Sequence, residues 1–542
     1  MEHWGLMKSP WLHGDFLESS LGMHHTIAQR RTFSVSNPPH IGIVGAGVSG
    51  LRCADILLQN GFKVTILEAR DRIGGRLCQK TLPSGQIVDL GANWIHGTDN
   101  NPILELAKLT NTETHSWPAN SNLFADDGKL IAQDDANILG DQMWEIILDA
   151  FKFADKHTAE IDTNESLFDF FSQKATELYP GSGEDEKRRK ILLQMSEMWG
   201  AFVGSPVTRQ SLKFFWLEEC LEGETLFCAG TYQKILAHIS QPALDAADIK
   251  LSTKVTNIIS GEDGTTVITD QLDELKFDDI VVTAPLGWLK KNTSKFQPAL
   301  PPRFLKAVAS IGYGCLEKAY INFPKAFWIK EGVDIAQQPF TGFGQWISPS
   351  YTPHTNPRRW NQEVVEMGTL PGATAHPTLL FYIFGEQSHA LANEIATIST
   401  QKERDEHIVK FFKPYYSLLP GYDEASPDCI PQSTLSTNWV LDDFAGNGSY
   451  CNFQVGVEAA DKDIEVMREG LPERNLWFAG EHTSPYVALG TVTGAYWSGE
   501  AVGKRISLAY GQSNKTWDIP KDGSGKQEQG EIGFRGPESA LS

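Results

Sequence analysis

Apolar and polar positions follow three different rhythms along this chain. Short unbroken apolar runs at 41–44 and 64–67 fit buried parallel strands. Between them Val48, Leu51, Ala54, Ile56 and Leu58 line one side of a helix that Asn60-Gly61 ends. From 102 to 240 the pattern turns mainly helical. Trp144, Ile147, Leu148, Phe151 and Phe153 recur near helical spacing, as do Leu167, Phe168, Phe170 and Phe171, and these aromatics read as core. Residues 181–189 (GSGEDEKRR) read as a solvated loop running into the next helix. A strand-rich stretch begins at 250, with a turn at 261–264 and strands at 265–269 and 277–282. The 312–323 segment alternates, so Leu316, Lys318, Tyr320 and Asn322 share a face. Another strand follows at 379–384, then an amphipathic helix at 402–412. The last pattern is a strand at 475–480 leading to a helix with small residues at 490, 494, 495, 498, 499 and 503. That spacing lets the helix approach a sheet or a flat ring closely, or simply pack tightly as a closing helix.

The first turn carries the strongest chemical signal. Gly45, Gly47 and Gly50 stand in G-x-G-x-x-G spacing between the first strand and its helix, and Glu68 ends the second strand. Such glycines give a tight turn, a close backbone approach to a pyrophosphate and close packing of helix on strand. The helix N-terminus offers free N–H groups to the phosphates, and Glu68 is placed to accept from a ribose. A glycine triplet by itself is an ordinary strand–turn–helix. The agreement of both strands, the helix and the acid favours a dinucleotide.

Composition narrows the partners. The 542 residues are 41% hydrophobic and 21% charged, as in a globular chain of about three to four domain-sized units. A net charge of −21 speaks against a nucleic-acid partner. It would concentrate cationic small molecules at the surface, although solubility alone accounts for it. Seven cysteines without C-x-x-C spacing read as reduced core thiols, so no metal site is expected. No apolar run reaches the roughly 18 residues that span a bilayer. Residues 1–38 read as a disordered leader and 509–542 as a disordered tail. Within the leader, 29–36 (QRRTFSVS) is basic and hydroxyl-rich like the end of a mitochondrial presequence, while Glu2, Asp15 and Glu18 argue against one. The expected compartment is cytoplasmic, with mitochondrial as the alternative. The terminal Ala540-Leu541-Ser542 is not a peroxisomal Ser-Lys-Leu.

Two further segments stay open on the residues themselves. In 91–97 (GANWIHG) the bracketing glycines either hold backbone against a ligand or bound a turn with a core Trp, so His96 is undecided. Lys318, taken by itself, reads as an exposed edge residue.

Taken in order, VGAGVSGL…EARDRIGGR, GANWIHG, TAPLGWLK, EKAYINFPKAFW, NGSYCNFQVGV and FAGEHTS…GTVTGAYWSGEAVGKRI resemble the flavin-containing amine oxidases over residues 39–508. The likeness is greatest to the polyamine and spermine oxidase branch. The resemblance implies an α/β fold in which a Rossmann-type FAD-binding domain (39–100, 246–300 and 425–508) is interleaved with a mixed sheet and helical substrate-binding domain (101–245 and 301–424). It implies Glu68 on the adenosine ribose, and Arg70, Gly75, Arg76, Ala92, Gly480 and Val492 along FAD. Val255 would meet the adenine through its backbone, and Glu481 would lie near the ribityl–pyrophosphate. Lys318 resembles the lysine that holds a water against flavin N5, which replaces the edge reading. His96 resembles a residue at the substrate entrance. Tyr450 matches one of two rings that flank the flavin in many members, but the other position is Thr491, which leaves room for a long, thin aliphatic chain. Ser449 stands where monoamine oxidases carry a flavin-linked cysteine, with Cys451 two residues away, so non-covalent FAD is expected.

The implied activity is oxidation of an amine, with a polyamine (spermine, spermidine or an N-acetylated form) as the expected substrate. A hydride equivalent passes to the flavin, and the imine is hydrolysed to an aldehyde and a shorter amine. O2 takes the electrons and leaves as H2O2. Distal ammonium groups would meet Glu218, Glu219, Glu222 or Glu224, unless that cluster is only a solvated acidic loop. The alternatives are an oxidase of a monoamine or secondary-metabolite amine, or an FAD-containing binding protein without catalysis. An amino-acid oxidase would need a carboxylate clamp, which no motif marks. A histone demethylase would carry a long helical insertion or an accessory domain. The expected partners are thus a cationic amine and O2, with oligomeric state left open.

Overall fold

The computed structural model describes residues 31, 33–117 and 122–512. At its centre lies a parallel sheet of five strands, in the order Leu476–Phe478, Asp279–Val282, His40–Val44, Lys63–Leu67 and Asp248–Lys250. Ile41, Ile43, Val64, Ile66 and Val281 are buried between covering layers, which is why these strands read as unbroken apolar runs. The helix Val48–Gln59 follows the first strand, and the final helix Val492–Ala509 packs along it. Gly499 permits that contact, since a Cβ there would lie 2.1 Å from the Ser49 carbonyl oxygen. Part of the small-residue stripe thus serves helix packing.

Two strand expectations are corrected. The 277–282 run divides: Glu274–Phe277 joins a four-stranded sheet with Gly264–Thr269, Val255–Gly261 and Phe296–Gln297, while Asp279–Val282 enters the parallel sheet. The chain changes sheet at Asp278, whose carboxylate accepts from the His40 N–H at 2.7 Å. The stretch beginning at 250 likewise divides, with Lys250 ending a parallel strand and Val255 starting the next sheet. Most of the expected 181–189 loop is helical, because the helix Glu184–Ser196 starts there. Its first turn holds Glu184, Asp185 and Glu186, where negative charge suits the helix dipole.

A second, six-stranded sheet runs Ser433–Ser436, Leu316–Asn322, Thr378–Phe384, Gln362–Glu366, Phe343–Trp346 and Asn122–Phe124. The helix Gln401–Tyr416 packs on it, with Phe381 and Phe412 ring centroids 4.3 Å apart. Ser433–Ser436 falls after residue 425, so the return to the nucleotide-binding half comes later in the chain than that boundary. The helices from 133 to 203 gather around a third core that includes Phe151, Phe171 and Trp199.

Residues 1–30 and 513–542, most of the expected leader and tail, lie outside the described residues. Within the stretch expected to precede the fold, Arg31 is packed. Its backbone N–H donates to the Ala509 carbonyl at 3.1 Å and its guanidinium pairs with fully buried Asp279. A buried carboxylate needs such a partner. Among the described residues no helix is long and apolar enough to cross a membrane, and no cluster of His, Cys, Asp and Glu could hold a metal. The seven cysteines are unpaired.

Candidate active site

One large cavity opens beyond the C-terminal ends of the parallel strands, where Val44, Leu67, Thr283 and Gly480 reach its wall. From the other side the six-stranded sheet contributes Leu316, Lys318 and Tyr382, and the helical layer contributes Trp199, Phe202 and Glu218. Every cofactor, catalytic and flavin-flanking residue carried over from the resemblance lines this cavity except Gly50. Gly50 faces the turn itself, where a Cβ would lie 2.1 Å from the Gly45 carbonyl oxygen.

The nucleotide end is built on the glycine turn. Gly45 has φ +108° and no room for a side chain, since a Cβ would meet Thr283 Oγ1 at 2.7 Å. Glu68 bridges the turn, accepting from the Ala46 N–H at 2.7 Å and the Arg70 N–H at 2.8 Å. Arg70 pairs with Asp442 at 2.8 Å and stacks over Phe444. Arg76 donates to Glu481 at 2.9 Å and to the Ser449 carbonyl at 2.6 Å, binding three distant segments together. Burial works against the charge of Arg76, but Tyr313 and Glu481 outweigh it and hold the guanidinium protonated. Burial likewise opposes ionisation of Glu481, yet Arg76 draws its carboxyl below the ordinary glutamate range.

The opposite end centres on Lys318. Its strand is paired on both sides and the residue is 5% exposed, so the edge reading fails. Nζ donates to the main-chain carbonyls of Gly91 and, at 3.3 Å, Asp89. Burial pushes the lysine down from its usual value, with Asp89 and Glu317 pulling the other way. Asp89 escaped the sequence reading, although an acid directly ahead of 91–97 at a strand end was the available signal. Its carboxylate accepts from Gln79 Nε2 at 2.6 Å and the Tyr232 N–H at 3.1 Å, and burial pushes it up. His96 is driven down to about 4 by burial, so it is neutral near pH 7. Tyr450 donates from its hydroxyl to the Phe202 carbonyl. Thr491 caps the final helix, its hydroxyl accepting from the Gly494 N–H at 3.0 Å. Of the four acids in the 216–224 segment, only Glu218 reaches the cavity wall. Glu218 Oε1 accepts from Gln210 Nε2 at 3.0 Å and the Phe453 N–H at 3.1 Å, and burial raises the carboxyl to about 7.

A family model described as flavin containing amine oxidoreductase matches residues 48–507. The chain belongs to that family. It is 26% identical to polyamine oxidase 5 of Oryza sativa subsp. japonica over 477 residues, covering 86% of this chain and 87% of that protein. It is also 26% identical to lysine-specific histone demethylase 1 homolog 1 of Arabidopsis thaliana, over 87% of this chain but 52% of that longer protein. The solved structure of a putrescine oxidase bound to putrescine superimposes with a TM-score of 0.63 at 18% identity, covering 87% of this chain and 99% of that one, and shows the same fold. The protein is therefore a flavin-dependent amine oxidase with FAD as cofactor. The cavity suits that group. At Gly47 a Cβ would meet nothing within 4 Å, and no side chain caps the helix that starts at Val48, so backbone N–H groups stay open to a pyrophosphate.

Proposed function

We propose that this amine oxidase acts on a polyamine. The observation that carries the reading is the carboxyl of Glu218 in the wall that also holds Lys318 and Tyr450. A chain with several ammonium groups needs a buried acid away from the bond being oxidised. Among the described residues both bonds that Glu218 accepts fall on Oε1, which leaves Oε2 for such a cation. The similarity to a polyamine oxidase over most of both chains supports the same substrate class.

FAD, when bound, supplies the two-electron acceptor for the amine and passes the electrons to O2. The chain does the rest. A largely apolar wall disfavours the ammonium form of the reacting nitrogen and so makes its lone pair available. Tyr450 fixes the lateral position of the chain, and Lys318 holds or moves a proton beside the Asp89 and Gly91 carbonyls. FAD would be held without a covalent bond, since Ser449 offers no thiol, and burial beside Glu481 keeps the thiol of Cys451, which also lines the cavity, protonated.

The test is anaerobic mixing of the holoenzyme with spermine while the visible flavin absorption is followed. Bleaching is the expected result, and a yellow enzyme that spermine leaves unchanged would sink the polyamine assignment. The similarity to a lysine demethylase favours a second reading, a methylated lysine side chain. A dimethyl-lysine peptide in the same experiment should leave the flavin oxidised.

A further inference from the structure

We propose that Phe202 forms an aromatic subsite for an ammonium group remote from the oxidised bond, a role that rests on the polyamine reading. Phe202 lies on a single helical turn, Gly200–Val203, packed closely at both ends. A Cβ at Gly200 would lie 2.2 Å from the Phe384 ring, one at Gly204 (φ +68°) would lie 2.7 Å from the Cys315 nitrogen, and the Gly204 carbonyl accepts from the Cys315 N–H at 2.8 Å. The Tyr450 hydroxyl donates to the Phe202 carbonyl and ties this turn to the ring beside the reaction centre. Phe202 is thus fixed relative to Tyr450, although the two are far apart in sequence.

The ring is stacked and yet open. It lies on Trp199 with centroids 5.1 Å apart and planes at 14°, and Trp144 meets it edge-on at 5.7 Å. Trp199 is 3% exposed, whereas Phe202 is 36% exposed and lines the cavity. Among the described residues it is the only large apolar side chain so exposed that also lines the cavity. Its π face is negative, and a stacked indole behind it leaves one face for a cation within about 6 Å of the centroid. Glu218 offers a carboxylate, once ionised, to one ammonium, and Phe202 offers a charge-free site to a second, so a polyamine threads between two kinds of partner. A neutral alkyl chain of equal length would gain only contact area from the same ring.

The experiment compares spermine with N-butylnonylamine, in which all but one nitrogen of the same chain are replaced by carbon. Steady-state kinetics are measured on the holoenzyme of wild type, Phe202→Leu and Phe202→Tyr, with FAD content and thermal midpoint checked for each. For Phe202→Leu the KM for spermine should rise about 5- to 30-fold, kcat should change by less than about twofold, and the alkylamine KM should barely move. Phe202→Tyr should restore the spermine KM. Equal KM rises for both amines, or rescue by leucine as good as by tyrosine, would make the ring an apolar wall and overturn the subsite. A wild-type flavin that the alkylamine reduces but spermine does not would overturn the substrate reading and the subsite with it. A flavin that spermine reduces while Phe202→Leu leaves its KM unchanged would overturn the subsite alone.

Discussion

A carboxyl in a cavity wall is useful only in the right protonation state, and for Glu218 that state turns over close to neutrality. Burial raises it to about 7, so it is mostly neutral at lower pH and ionised above. An ionised Glu218 attracts an ammonium group and a neutral one does not. The KM for spermine should therefore fall about tenfold between about pH 6 and about pH 8, following the ionised fraction. Glu218→Gln should flatten that limb, leaving only the titration of spermine itself, and a wild-type profile identical to that of the variant would remove Glu218 from substrate binding. Single residues were also where the sequence was least legible. Lys318 sits on the face that its alternation assigns, together with Tyr320. Its burial depends on strands Thr378–Phe384 and Ser433–Ser436, which arrive much later in the chain. No local pattern reports that. Glu218 was one of four equivalent acids until the fold placed it, and not the other three, in the cavity wall.

At the scale of elements the glycine turn shows how sequence becomes geometry. Gly50 lines no part of the cavity, yet it lets the Val48–Gln59 helix rest on the turn at Gly45. A methyl group 2.1 Å from that carbonyl oxygen must push the helix N-terminus away from its strand, and its N–H groups would follow. Gly50→Ala should cost about 1–3 kcal/mol in urea unfolding and reduce FAD retention through gel filtration. Full retention with unchanged stability would show that the turn can yield. This unit was legible because each feature of it is local: strand, turn, helix and terminal acid lie within residues 40–68. The 181–189 and 277–282 readings failed for the opposite reason. Charged residues there serve a helix N-terminus in one case and a change of sheet in the other, and composition describes both as loop or strand. The order of motifs gave the interleaving of the two sheets, but the place where the chain crosses back had to come from strand pairing.

The whole molecule adds a field to these contacts. Net charge of −21 had two readings, solubility or attraction of a cationic substrate, and the cavity gives a way to separate them. Spermine carries about four positive charges near neutrality, so long-range attraction should accelerate its encounter far more than that of a monocation. Salt shortens the reach of that field, with a Debye length of about 10 Å at about 0.1 M, while contacts inside the cavity are screened much less. Raising NaCl from about 20 mM to about 500 mM should then lower kcat/KM for spermine by roughly tenfold and leave kcat nearly constant. The fall should be clearly smaller for N-butylnonylamine. A common slope for both amines would mean that the surface charge only keeps the protein in solution, leaving the choice of substrate to the carboxyl and the rings of the cavity wall. A steeper slope for spermine would mean that selection for multiply charged amines begins in solution, before any residue of the wall is touched.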